Sequence, residues 1–169
     1  MLTKEYIKEV ITSGNGGVEN LIKSYQDIGT ITFILEHLGQ LPKNFDGSFL
    51  PTLMQHKSAA VRLGVVKTIG KLKNEEYLGL LKEVTKNEQD TTVRREAVSS
   101  IGRMRNPIAK EILFEILDDN DPKVVCQAIR GLLVFKGDKD VDEHLQPLIN
   151  HLNEMVRTVI YKEFFTKAA

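Results

Sequence analysis

The sequence predicts an all-α chain: a right-handed α-α superhelix, or solenoid, of about five helical hairpins behind an N-terminal capping helix. Three observations predict it. One helix is written nearly twice, as AAVRLGVVKTIGKLKN at 59–74 and TTVRREAVSSIGRMRN at 91–106. A valine returns at Val61, Val93, Val124 and Val156, at steps of 32, 31 and 32 residues. Four places after each valine stand Val65, Ala97, Ala128 and Ile160, and eight places after it Ile69, Ile101, Leu132 and Phe164. Apolar residues at offsets of zero, four and eight make one face of an α-helix.

In chain order, residues 1–14 are the capping helix, spanning 3–13, with Tyr6, Ile7, Val10 and Ile11 on one face and Gly14 after it. Residues 15–46 read as a divergent first repeat. Val18 and Leu21 fall 32 residues before Leu50 and Leu53, and LGQL at 38–41 echoes IGKL at 69–72. Repeats 2 to 5 follow at 47–76, 77–108, 109–140 and 141–169. Their first helices carry Leu50, Leu81, Leu113 and Leu145 in register. Their second helices start at Ser58, Asp90, Asp121 and Asn153, whose side chains suit the N-cap. Asn74, Asn106 and Gly137 are expected to end them in the left-handed conformation. Gly39, Gly70 and Gly102 are expected inside second helices, where a neighbour packs close to the backbone. A lone hairpin cannot bury its apolar face, so repeats must stack. Phe165 stands where earlier repeats carry glycine. It needs a covering neighbour, and the chain is therefore expected to be a piece of a longer one.

The pattern D-x-x-VRR-x-A-x-x-x-IG at 90–102 resembles the HEAT-like repeats of the phycobilin-lyase type. SAAVRLGVVKTIGKL at 58–72 and NEMVRTVIYKEF at 153–164 are similar to it. The resemblance covers 47–169 well and 15–46 loosely, and repeat 4 departs from it with Val125 in place of arginine. It implies that the second helices line a concave face. It implies no single activity, because such repeats serve scaffolds, lyase subunits and nucleic-acid enzymes alike.

Charge patterning narrows the function. Lysine plus arginine equals aspartate plus glutamate, at 23 each. The second helices (58–73, 90–105, 121–136, 153–169) nevertheless carry +9, the first helices (47–57, 77–89, 109–120, 141–152) −4, and the rest −5. Last-turn cations such as Lys71, Arg103 and Lys136 offset the helix dipole. Arg62, Arg94 and Arg157 are expected to pair with turn acids such as Asp90 and Asp121 in a ladder between repeats. Left over is a row of Lys67, Arg130 and Lys162 with Arg95 beside it, suited to phosphates or an acidic partner. A second candidate is an apolar partner patch of Val125, Cys126, Val134 and Phe165.

Chemistry-bearing motifs fail on inspection. DKDVDEH at 138–144 spaces its acids like a calcium loop, but Glu143 stands where the turn needs glycine. His37, His56, His144 and His151 lack metal spacing with Cys126 or with acids, and Cys126 has no histidine close by in sequence. GNGG at 14–17 follows a helix instead of a strand, unlike a phosphate-cradling loop. No catalytic, cofactor-binding or metal residues are therefore assigned. There is no apolar run long enough for a membrane span, and a single cysteine suggests a reducing, cytoplasmic setting. The expected function is a non-catalytic binding scaffold for a protein, or for a nucleic-acid backbone, on its concave face. The alternative is a domain or subunit of an enzyme, such as a DNA methyltransferase or a lyase-type HEAT protein. No methyltransferase motif is present to support the first of these.

Overall fold

The computed structural model describes residues 1–14 and 16–165; among them the regular structure is helical throughout. The chain divides into two compact units, Met1–Asn74 and Glu75–Ala169.

The first unit holds α1 (Lys4–Ser13), α2 (Gly17–Lys23), α3 (Ile28–Glu36), α4 (Leu50–Leu53) and α5 (Ala59–Leu72). Thr3 caps α1 by accepting the Tyr6 N–H at 3.2 Å, and Ile7 and Ile11 are buried beneath it. Tyr6 is exposed instead of sharing that apolar face. Asp27 caps α3 by accepting the Thr30 N–H at 2.7 Å. α5 packs on α3, and Gly64 permits the approach: a Cβ there would stand 2.9 Å from Leu35 Cδ1. Gly39 does not play this part. It lies beyond α3 at φ 62°, with nothing within 4 Å of where its Cβ would be.

The second unit holds α6 (Leu78–Asn87), α7 (Thr91–Met104), α8 (Pro107–Ile116), α9 (Pro122–Gly131), α10 (Lys139–Leu145) and α11 (Glu154–Ile160). α9 runs on as a 3-10 turn, Leu132–Phe135, and α11 as a π-helical turn, Tyr161–Phe165. α7 packs against α6 in its own hairpin and against α9 in the next, and α9 packs in turn against α11. Val93, Ala97 and Ile101, Val124, Ala128 and Leu132, and Val156 and Ile160 are buried as the helical spacing demands. Phe164 is only half-buried. The π-turn winds more residues into each turn, and so carries Phe164 off the face that an α-helix would have kept.

Three second helices have the expected caps: Asp90 accepts from Thr92 and Val93, Asp121 from Lys123, and Asn153 from Met155. Ser58 occupies the same place but its side chain accepts no capping bond. The left-handed C-terminal residues differ from expectation. They are Lys73 (φ 50°) and Arg105 (φ 53°), one place before Asn74 and Asn106, while Gly137 does adopt positive φ. Asn106 is needed elsewhere, because it caps α8 by accepting the Ala109 N–H at 2.7 Å.

Of the arginines after the repeating valine, Arg94 forms the expected link to a turn acid of the next repeat, with Asp119 as its partner. Arg62 Nη1 donates to the His56 and Lys57 carbonyls at 2.8 and 3.0 Å, and Arg157 Nη1 to those of His151 and Leu152 at 2.6 and 2.9 Å. Each bonds carbonyls of the turn just before its own helix. Arg94 Nε donates to the Thr85 carbonyl at 2.9 Å, and its Nη2 pairs with Asp119 of the following hairpin. Asp119 is a turn acid of repeat 4, which carries Val125 at the position of these arginines. The link from Asp121 to the preceding repeat is a hydroxyl one, Thr91 Oγ1 to Asp121 Oδ2 at 3.1 Å.

A candidate partner-binding face

On a second helix, offsets two and six from the valine point away from the core offsets of zero, four and eight. In the second unit these outward positions are Arg95 and Ser99 on α7, Cys126 and Arg130 on α9, and Thr158 and Lys162 at α11. α9 packs against both α7 and α11; Arg130 on α9 and Lys162 in the π-helical turn after α11 are exposed, and Arg95 on α7 is half-buried. Lys67 holds the matching position on α5 in the first unit and is exposed there.

The basic side chains sort into two groups. Most are spent on structure: Arg94 on Asp119, Arg103 on Glu96 at 3.1 Å, and Lys136 on the Glu163 carbonyl at 2.7 Å. Lys110 bonds Asp140 at 2.6 Å and Asp138 at 3.3 Å, and Lys82 bonds Glu115 at 2.7 Å; these tie the first helices of neighbouring hairpins together. Arg95 and Arg130 belong to the other group. Neither makes an ion pair or a side-chain hydrogen bond among the described residues, and Arg95 Nε is buried without a partner.

Both arginines lie near enough to Cys126 for their charges to act on it. Burial pushes the Cys126 thiol above its ordinary range, against the pull of Arg130 and Arg95 towards the thiolate. A thiol held protonated is a poor nucleophile. Arg95, Arg130 and the Asp121 carboxylate all act on Cys126, so two cations face one acid there, a balance that attracts an anion.

The apolar patch comes apart. Val125 is 0% and Cys126 1% exposed, so neither is offered to a partner. The packing of α9 between α7 and α11 covers them. Val134 (46% exposed) and Phe165 (38%) remain at the surface, Phe165 edge-on to the exposed Tyr161 with ring centres 6.4 Å apart.

The glycines of GNGG that are described line a cleft of about 470 Å³ in the first unit. Its charged lining residues are Glu19 and Asp46, which disfavour phosphate. No group of three or more histidines, cysteines or carboxylates gathers as a metal site among the described residues. Nor, among them, is any helix long and apolar enough to cross a membrane.

Sequence reasoning missed one recurrent feature. Five places before each valine stands a side-chain acceptor: His56, Glu88, Asp119 or His151. Each takes the N–H of the cap residue two places on, at 2.8 to 3.0 Å. Its signal in the sequence is a shared capacity to accept a hydrogen bond at one register, hidden by three different residue types.

Comparisons with known proteins agree with this architecture. No curated protein matches the chain. Among solved structures, an engineered protein from a structural genomics consortium is similar at 16% identity and a TM-score of 0.56, covering 96% of this chain and 88% of its own. A designed armadillo repeat protein, solved in complex with the peptide (KR)4, is similar at 17% identity and a TM-score of 0.56, covering 92% and 87%. At such identities the likeness is one of fold: a helical solenoid. The sequence profile of the HEAT repeats matches residues 48–101 and 84–162, without singling out the phycobilin-lyase type. With more than half of its length matched in this way, the chain belongs to the HEAT repeats.

Proposed function

We propose that this protein is a non-catalytic binding module that recognises an anionic partner, a protein or a nucleic-acid backbone, on the open face of its second helices. The observation that carries this reading is the state of Arg95 and Arg130. Arg94, Arg103 and Arg157 are paired or bonded to carbonyls, whereas Arg95 and Arg130 make no ion pair or side-chain hydrogen bond among the described residues. Lys162 extends the row at α11, and Lys67 offers a further exposed cation on α5. A structural neighbour that holds a peptide supports the choice of a binding role for the fold. The partner of that neighbour is basic; the free charge on this face asks for the opposite sign.

The test is an anisotropy titration of the whole chain with acidic ligands at several salt concentrations. If Arg95, Arg130 and Lys162 each meet one phosphate, affinity should fall roughly fortyfold between about 50 and 200 mM salt, from a slope near −0.9 per contact. An Arg95→Glu, Arg130→Glu double variant should lose binding while keeping its helical circular dichroism. Failure to bind any anionic peptide or nucleic acid at low salt would remove the reading.

A further inference from the structure

α11 leaves bare a face that α7 and α9 keep covered. We infer that a second copy of this chain packs on it, α11 against α11 in antiparallel register, across a twofold axis at Thr158. The contact makes no use of Arg95 or Arg130.

Each second helix of this unit offers one face to the second helix that follows. α7 meets α9 where Gly102 comes close to the Gly131 Cα. Arg95, Val98 and Gly102 share that face of α7 by helical spacing. The matching places are Cys126 and Ile129 on α9, and Thr158, Tyr161 and Phe165 on α11 and its π-helical turn. Val98 and Ile129 are fully buried, since α9 packs on α7 and α11 on α9. At the same register Tyr161 is 53% exposed, and Thr158 and Phe165 are exposed beside it. No helix follows α11 among the described residues. An apolar face of this kind marks a site of association.

The occupant is argued from the face itself, which is self-complementary. Its exposed residues are Glu154, Met155, Thr158, Tyr161, Lys162 and Phe165. Positions 154 and 162 lie symmetrically about 158, and so do 155 and 161. With Thr158 on the axis of an antiparallel pair, Glu154 of each copy therefore lies opposite Lys162 of the other, and Met155 opposite Tyr161. Lys162 and Tyr161 also interact within their own chain, and the second copy adds to those interactions. Leu152, 99% exposed just before α11, comes to the aromatic end of the other copy, at Phe164 and Phe165. Thr158 is short, so the two helices can approach to the usual separation of about 8 to 10 Å. A parallel pair would instead set Glu154 against Glu154 and Lys162 against Lys162. Isologous pairing closes at two copies, whereas head-to-tail stacking would run on as a filament. At about 1.5 Å per residue the strip is roughly 17 Å long. That is small for a permanent interface, so the dimer should exchange with monomer.

The experiment is sedimentation velocity on the full chain at low salt, from about 1 to about 300 μM, a range that brackets a micromolar dissociation constant. The wild type should pass from monomer to dimer across it. Glu154→Lys and Lys162→Glu should each weaken the dimer about tenfold or more, because like charges then face each other twice. Mixed in equal amounts, the two variants should form a heterodimer within about threefold of wild-type affinity, because every reversed charge now meets its opposite. Thr158→Arg sets two cations together on the axis, at an exposed site that the fold does not need. It should stay monomeric while keeping its helical circular dichroism. A wild type that remains monomeric throughout overturns the inference. So does a dimer that none of the three substitutions weakens, since it would use another face. Single variants that stay monomeric when mixed overturn the antiparallel register and the inference with it.

Discussion

Arg94 shows how much one side chain can decide. Its guanidinium spans the Thr85 carbonyl in its own hairpin and the Asp119 carboxylate in the next, and both partners are largely screened from water. Removing it would strand a partly buried carboxylate, so Arg94→Ala should lower stability by about 1.5–3 kcal/mol, the range for bonds to charged groups. Chemical denaturation checks this, and a loss below half a kilocalorie would show the pair to be ornamental. Lys73 and Arg105 make the opposite case. Both hold a left-handed conformation that favours glycine. Lys73→Gly and Arg105→Gly should each raise the melting temperature, by roughly 0.5–1 kcal/mol in free-energy terms at most. The left-handed residues were not legible in the sequence, whereas the pairing of Arg94 with a turn acid of a neighbouring repeat was expected from it. Arg94 stands beside a valine just as Arg62 and Arg157 do, and only the structure shows that its turn acid is Asp119.

At the scale of the element, close packing rests on small residues at particular contacts. A Cβ on Gly102 would stand 3.1 Å from the Gly131 Cα, so α7 and α9 meet backbone to backbone. Gly102→Ala should cost about 1–3 kcal/mol as the helices are forced apart. Gly79 in α6 has nothing within 4 Å of where its Cβ would be. Gly79→Ala should therefore stabilise by up to about 1 kcal/mol through helix propensity alone. Opposite signs from two identical substitutions, read by thermal melts, would mark the contact. Ala97 is buried at the centre of α7, and Ala97→Glu should cost several kcal/mol for an unpaired buried charge. Its natural control is Thr92→Glu, an exposed first-turn site that should be near neutral. Thr91 looks equivalent in sequence, but its hydroxyl donates to Asp121, and a glutamate there would face that carboxylate.

For the molecule as a whole, the first helices of the second unit are joined by ion pairs, and these set a pH dependence. The hydrogen bond from Lys110 holds the Asp140 carboxyl below the usual carboxylate range, and the bond from Lys82 does the same for Glu115. A carboxylate whose folded-state pKa is depressed adds stability above its unfolded pKa. That contribution is lost as the pH falls through the folded value. The melting temperature should therefore decline as pH drops from about 6 to about 3. An Asp140→Asn, Glu115→Gln variant should melt lower at neutral pH and decline less steeply in acid. Parallel curves for the two proteins would show that other groups carry the acid sensitivity.

The sequence by itself determined the helical periodicity, the repeating valine register, the buried core of the second helices and three of their four N-caps. These are local matters: a period of about 3.6 residues and a side chain that bonds its own first turn leave their mark along the chain. It also picked out Lys67, Arg95, Arg130 and Lys162 as the charge left over once the helix ends were accounted for. Tertiary structure decided which acids reach which arginines. Whether an arginine is free depends on which acids lie beside it in space, and Asp119 lies 25 residues from its partner Arg94. Burial of Val125 and Cys126 was likewise settled by the helices on either side of α9, since an apolar residue at an outward register is hidden or offered only by what its neighbours cover.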